Sequence, residues 1–109
     1  MPYNEDIARK LERYLKNRKG FISKKMFGGM GWLIQGNMSF GVYKDYLILR
    51  MEEGACAEAL SHPHTKVFDI TGKAMKGWVM VEKAGTDDAA LLKRWLDASV
   101  RFARSLPAK

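Results

Sequence analysis

Cysteine is almost missing from this chain. Cys56 stands alone, so no internal disulfide can form. A small domain that does without disulfides belongs in a reducing compartment, and a cytoplasmic location is the expectation. The opening residues Met1-Pro2-Tyr3-Asn4-Glu5-Asp6 lack the basic-then-apolar pattern of a secretion signal. No apolar run approaches the roughly 20 residues that cross a bilayer, which excludes a membrane span. Histidine is confined to His62 and His64, and proline to positions 2, 63 and 107. Repeats, low-complexity tracts and linkers are missing too, so residues 1–109 are expected to form one domain. Apolar residues make up 47% of the chain, which is too hydrophobic for intrinsic disorder.

Positive charge is abundant. The net charge is +7. Arg9, Lys10, Arg13, Lys16, Arg18, Lys19, Lys24 and Lys25 crowd the first 25 residues, and Lys93, Arg94, Arg101 and Arg104 form a second group near the other end. Such a surface favours anionic partners, nucleic acid among them, and says nothing about specificity.

The apolar residues change period along the chain. Ile7, Leu11, Tyr14 and Leu15 recur at helical spacing behind Asn4, a cap residue, with Glu5 and Asp6 in the dipole-favoured first turn and Gly20 past the end. Arg9, Arg13 and Lys16 fall on the opposite face. Phe21–Phe27, Met30–Gln35, Met38–Tyr43 and Tyr46–Met51 then read as four strands, with breaks at Gly28-Gly29, Gly36-Asn37 and Lys44-Asp45. Short runs joined by two-residue turns predict an antiparallel meander. Alanine-rich Glu52–Leu60 predicts a short helix that Pro63 cannot continue. Lys66–Ile70 reads as a short extended piece, Thr71-Gly72-Lys73 as a turn, and Gly77–Glu82 as a fifth strand. A closing helix, capped by Thr86 and ended by Pro107, carries a buried stripe of Leu91, Leu92, Trp95, Leu96, Ser99, Phe102 and Ala103. Its wet face holds Lys93, Arg94, Asp97, Arg101 and Arg104. The expected fold is α+β: a meander of about five strands between two amphipathic helices. Its open edges allow a homodimer.

Catalytic and metal patterns are weak. His62, His64 and Cys56 are the alternative candidates for a metal or thiol site, but they lack the paired ligand spacing of a zinc centre, and Cys56 sits in an apolar Ala-Cys-Ala run. No G-x-S-x-G elbow surrounds any serine. Gly28-Gly29-Met30-Gly31 is followed by a strand rather than the helix a phosphate loop needs, so these glycines are expected to mark a bulge or a close backbone approach. Glu52-Glu53 and Asp87-Asp88 are explained by helix starts. Phe40 and Tyr46 could sit as the aromatics of an RRM-type sheet, but no RNP1 segment is present and core positions are expected. No cofactor is called for. The candidate anion or partner contacts are Lys24 and Lys25, which strand geometry sends to opposite faces, then Arg50, Arg9 and Arg13.

One stretch is distinctive. Lys24-Lys25-Met26-Phe27-Gly28-Gly29-x-Gly31, then Gly36-Asn37-Met38-x-Phe40 and Tyr46-Leu47-x-Leu49-Arg50, resembles the N-terminal domain of the TfoX/Sxy competence-regulator family. Phe68-Asp69-x-Thr71-Gly72-Lys73-x-Met75-Lys76-Gly77 and Ser105-Leu106-Pro107 are similar to its single-domain branch. The resemblance implies an α+β fold and, for two-domain members, transcriptional co-regulation of competence genes. It supplies no catalytic residues. A non-enzymatic binding module, working through a protein partner or nucleic acid, is the resulting expectation.

Overall fold

The computed structural model describes residues 3–26, 28–69, 72 and 75–108. The first helix, α1 (Glu5–Leu15), starts as its sequence dictates: the Asn4 side chain accepts a hydrogen bond from the Ile7 amide at 3.0 Å. Asn4 also ties the helix to the sheet. Its backbone amide donates to the Lys44 carbonyl at 2.7 Å, and its side-chain nitrogen to the Asp45 carboxylate at 3.0 Å. The strands follow as β1 (Phe21–Met26), β2 (Gly29–Ile34), β3 (Asn37–Tyr43) and β4 (Tyr46–Arg50), all antiparallel. The expected meander is therefore present; Phe27, counted above as the end of its first strand, lies outside the described residues.

The turns differ in detail. The β2–β3 turn is Gln35-Gly36, one residue earlier than expected, because those two residues take the left-handed backbone (φ of 54° and 82°) that a tight hairpin requires. Asn37 is instead buried, and its side chain donates to the Pro107 carbonyl at 2.9 Å, anchoring the end of the last helix. The bulge lies elsewhere too. Gly28 occupies the β1–β2 turn with φ 78°, and Gly29 begins β2 where any Cβ would meet the Val42 carbonyl, so this glycine permits close backbone approach. The register slips farther along, where Trp32 pairs with Phe40 but Leu33 with Met38. Ser39 is the extra residue, and its buried hydroxyl donates to the Trp32 carbonyl at 2.8 Å.

After β4 come α2 (Glu53–Leu60), β5 (Thr65–Val67) and β6 (Trp78–Glu82). The sheet has six strands in the order β1-β2-β3-β4-β6-β5, one more than expected. The extra strand is the short extended piece, begun one residue earlier at Thr65 and hydrogen-bonded to β6. Ile70, Thr71 and Lys73, read above as the end of that piece and a turn, lie outside the described residues. A 3₁₀ turn over Lys83–Thr86 leads into α3 (Ala89–Ser105). Its cap is Asp88, which accepts from the Leu91 amide at 3.0 Å, not Thr86. Thr86 is buried in the 3₁₀ turn and donates to the Lys83 carbonyl.

Helices α1, α2 and α3 contribute to one core cluster on one face of the sheet. Ile7, Leu11, Trp95, Leu96 and Val100 meet Phe40, Val42, Leu47, Leu49, Val79 and Val81 there. Phe40 is fully buried, with the rings of Tyr14, Phe21 and Trp32 around it at centroid distances of 5.8 to 6.1 Å. Burying each such side chain contributes about 1.5–3 kcal/mol. The opposite face carries a smaller cluster of Met38, Ile48, Phe68 and Met80, edged by half-buried Met26, Leu33, Tyr43, Tyr46, Met75 and Trp78. Among the described residues no helix is long and apolar enough to cross a membrane.

Candidate functional site

A cleft of about 430 Å³ runs between α1 and the start of α3. Its apolar floor is Ala89, Leu92 and Leu96. Four cations surround it: Lys10, Arg13 and Arg18 from the α1 side and Lys93 from α3. Helical spacing explains the first group, since residues three or four apart share a face and Lys10, Arg13 and Tyr14 all turn toward α3.

The cleft is organised by a polar network that bridges the helices. The Tyr14 hydroxyl donates to Asp97 Oδ1 at 2.5 Å, and Lys93 donates to Asp97 Oδ2 at 2.9 Å. Arg18 lies over the Tyr14 ring, 4.1 Å from its centroid, donates to the Tyr14 carbonyl and comes within 3.8 Å of Asp97. Burial, then the hydrogen bond and charge of Asp97, push the Tyr14 hydroxyl far above the ordinary tyrosine range, against the opposing pull of Arg18 and Arg104. Burial alone would raise the Asp97 pKa. The hydrogen bonds from Tyr14 and Lys93, with the charges of Lys93 and Arg18, outweigh it and hold the carboxyl below its usual value. At the other end Lys10 donates to the Thr86 hydroxyl and to Asp87, both at 2.9 Å, and this keeps the Asp87 carboxyl ionised to lower pH than usual. Arg13 alone among the four cations forms no ion pair with the described residues. It is the cation most available to a ligand.

The five candidate contacts read from the sequence do not converge. Arg13 lines the cleft. Arg9 pairs with Asp6 on the exposed side of α1. Arg50 is wedged between the rings of Trp78 and Phe102, 5.4 and 5.6 Å from their centroids, and rivets β4 to α3. Lys24 and Lys25 do point to opposite faces, lying across from Gly31 and Met30. Both are exposed on β1, an edge strand of the sheet. In the motif segment, Met26 packs its sulfur where a side chain on Gly31 would stand, so the glycine makes room for it. Lys10, Arg18 and Lys93 were visible only as charge. Tyr14 sat on the apolar stripe and Asp97 on the wet face of their helices. The signal that could have joined them is that both lie at the boundary between the two.

The alternative trio is dispersed by its packing. Cys56 is buried, donates to the Met51 carbonyl at 3.5 Å, and has its thiol pKa raised, chiefly by burial. His62 packs edge-on against Trp95 and lies 3.8 Å from Glu58, while His64 lies 3.7 Å from Glu82. Among the described residues no group of three or more histidine, cysteine or carboxylate side chains could hold a metal ion.

The family model of the TfoX N-terminal domain matches residues 13–103. The chain belongs to that family. The match takes in the whole six-stranded sheet, and Arg13, Tyr14, Arg18, Lys93 and Asp97 of the cleft; Lys10 falls before it. No curated protein and no solved structure gives a match. The TfoX N-terminal domain is thus represented here by an α+β unit with a cleft between α1 and α3 on the helix side of its sheet.

Proposed function

We propose that this TfoX-type domain is a non-enzymatic binding module whose α1–α3 cleft takes an acidic amphipathic segment of a protein partner. The observation that carries this reading is the combination of an apolar floor, Leu92 and Leu96, with a cationic rim in which Arg13 has no ion-pair partner among the described residues. Apolar anchors flanked by carboxylates match such a groove. The net charge of +7 steers anions toward it.

The same side chains argue against catalysis. Cys56, the best nucleophile by type, has its thiol pushed toward the neutral form and its hydrogen bond committed to the backbone. His62 and His64 serve as packing and turn residues, the latter with a left-handed backbone at φ 68°. The likeness to competence regulators supports a setting in transcription inside the cytoplasm, where a domain of this kind acts by docking.

A synthetic helix with leucine anchors and glutamate flanks serves as the probe. The wild-type chain should bind it with an affinity that falls as salt rises. Arg13→Glu should weaken binding about tenfold, equivalent to about 1.4 kcal/mol, with the melting temperature unchanged. Equal binding by both proteins, or indifference to salt, would contradict the reading.

A further inference from the structure

The face of the sheet turned away from the main helix-side core carries a second set of cations, Lys24, Lys44 and Lys66, the last two beside aromatic rings. One register row crosses all six strands: Lys24 lies opposite Gly31, Gly31 opposite Gly41, Gly41 opposite Ile48, Ile48 opposite Met80, and Met80 opposite Lys66. At about 4.8 Å per strand the two lysines stand roughly 24 Å apart. The middle of the row, Gly31, Gly41, Ile48 and Met80, is buried, with the tails of Met26 and Met38 close over the glycines, so the row's accessible residues are the two terminal lysines. Beside this row the paired Tyr43 and Tyr46 are half-buried against the outer cluster. Each ring already holds an ammonium group: Lys44 Nζ lies 5.4 Å from the Tyr43 centroid and Lys66 Nζ 4.5 Å from that of Tyr46. Lys66 also donates to the Tyr46 hydroxyl at 3.1 Å. Asp69 and Glu82 temper the potential around Lys66, but Lys24, Lys44 and Lys66 form no ion pair with the described residues. Phe40, the other aromatic that a nucleic-acid sheet would use, is buried on the helix side and takes no part.

We propose that this outer face binds single-stranded nucleic acid, with bases stacked on Tyr43 and Tyr46 and phosphates held by Lys24, Lys44 and Lys66. Exposed bases have π-faces that stack on aromatic rings whatever their sequence, and a cationic track neutralises the backbone. An acidic peptide would use the lysines but gain nothing specific from the rings. A duplex hides its bases and would use only the charge. On binding, the ammonium groups now resting on the rings move to the phosphates and free the ring faces for bases. The proposal uses a different surface from the α1–α3 cleft and stands independently of it.

The test is fluorescence anisotropy of a short labelled oligothymidylate with the full chain, over a salt series. Wild-type binding should weaken steeply as salt rises. Tyr43→Ala and Tyr46→Ala should each lower affinity by about 5- to 100-fold, whereas Tyr43→Phe and Tyr46→Phe should stay within about threefold, because a phenyl ring stacks as a phenol does. Lys24→Glu with Lys44→Glu, both at exposed positions, should abolish binding and covers the case in which an alanine variant fails to fold. Arg13→Glu, in the cleft, acts here only through net charge and should stay within about threefold of wild type. The proposal is overturned by absent or salt-independent binding in the wild type, by folded alanine variants that bind like wild type, by a duplex that binds as tightly as the single strand, or by loss of binding in Arg13→Glu.

Discussion

On the helix side of the sheet Phe40, Leu47, Leu49, Val79 and Val81 lose all contact with water, whereas on the other side Leu33, Tyr43, Tyr46 and Trp78 keep part of their surface exposed. The strands are the same; what covers them differs. Ile7, Leu11, Trp95 and Leu96 bring apolar stripes from two long helices to the first face, while the second receives Phe68 and Met75 from the chain between β5 and β6. A sheet buried on both faces in its middle strands needs apolar residues at nearly every position there, which is why β3 and β4 read as continuous runs rather than alternating ones. The contrast also separates two kinds of surface. The helix side offers a groove with charge at its rim, and the outer side a covered middle edged by half-buried aromatic rings and exposed lysines.

The comparison breaks most visibly at the core. Phe40→Ala should destabilise the domain by about 3–5 kcal/mol in urea unfolding, while Met80→Ala on the outer face should cost about 2 kcal/mol. Equal losses would mean the two faces are packed alike. Gly41→Ala should cost about 1–3 kcal/mol. Its Cβ would stand 2.4 Å from the Met30 carbonyl oxygen, and a strand backbone has little room to give.

A smaller effect comes from the bridge across the cleft. Asp97 is held below its ordinary pKa, so its contribution is complete above about pH 4 and is lost as the pH falls through its lower folded value. Tyr14 is shifted the other way, so its contribution is complete below about pH 10 and is lost as the pH rises toward its folded value. Unfolding followed across pH should therefore show a plateau between these limits. Asp97→Asn should lower that plateau by about 1–2 kcal/mol and flatten its acid side. Smallest of all, Ile22→Thr on the edge strand, where Ile22 is 71% exposed, should change stability by no more than about 0.5 kcal/mol.

Much of the fold was legible because the local signals agreed with one another. Asn4 caps where it was expected to, and the meander forms, with its β2–β3 turn one residue earlier, at Gln35-Gly36. The errors fall where a short-range signal was ambiguous. Thr86 and Asp88 are both good caps, and packing decided for Asp88 by burying Thr86 against Lys10. The three-residue β5 is too short for a period to show, and it exists because β6 offers it a partner. The cleft was much less legible. Of its four cations only Arg13 was singled out, because a sequence shows charge without showing which charges are already paired. Arg50 illustrates the converse: a strand arginine that reads as available is held between Trp78 and Phe102. The meeting of Tyr14 with Asp97, 83 residues later, depends on how two helices lie side by side on the sheet.

The central claim is that the helix-side cleft receives the acidic partner. Amide chemical-shift mapping by NMR, with the leucine–glutamate helix titrated into the labelled chain, tests it most directly. The account predicts that the perturbed amides cluster in and just after α1, around Lys10–Arg18, and at the start of α3 with the turn before it, around Thr86–Asp97, and that β1 stays silent. Perturbations centred on Lys24 and Lys25, or scattered over the basic surface with none in the cleft, would contradict it.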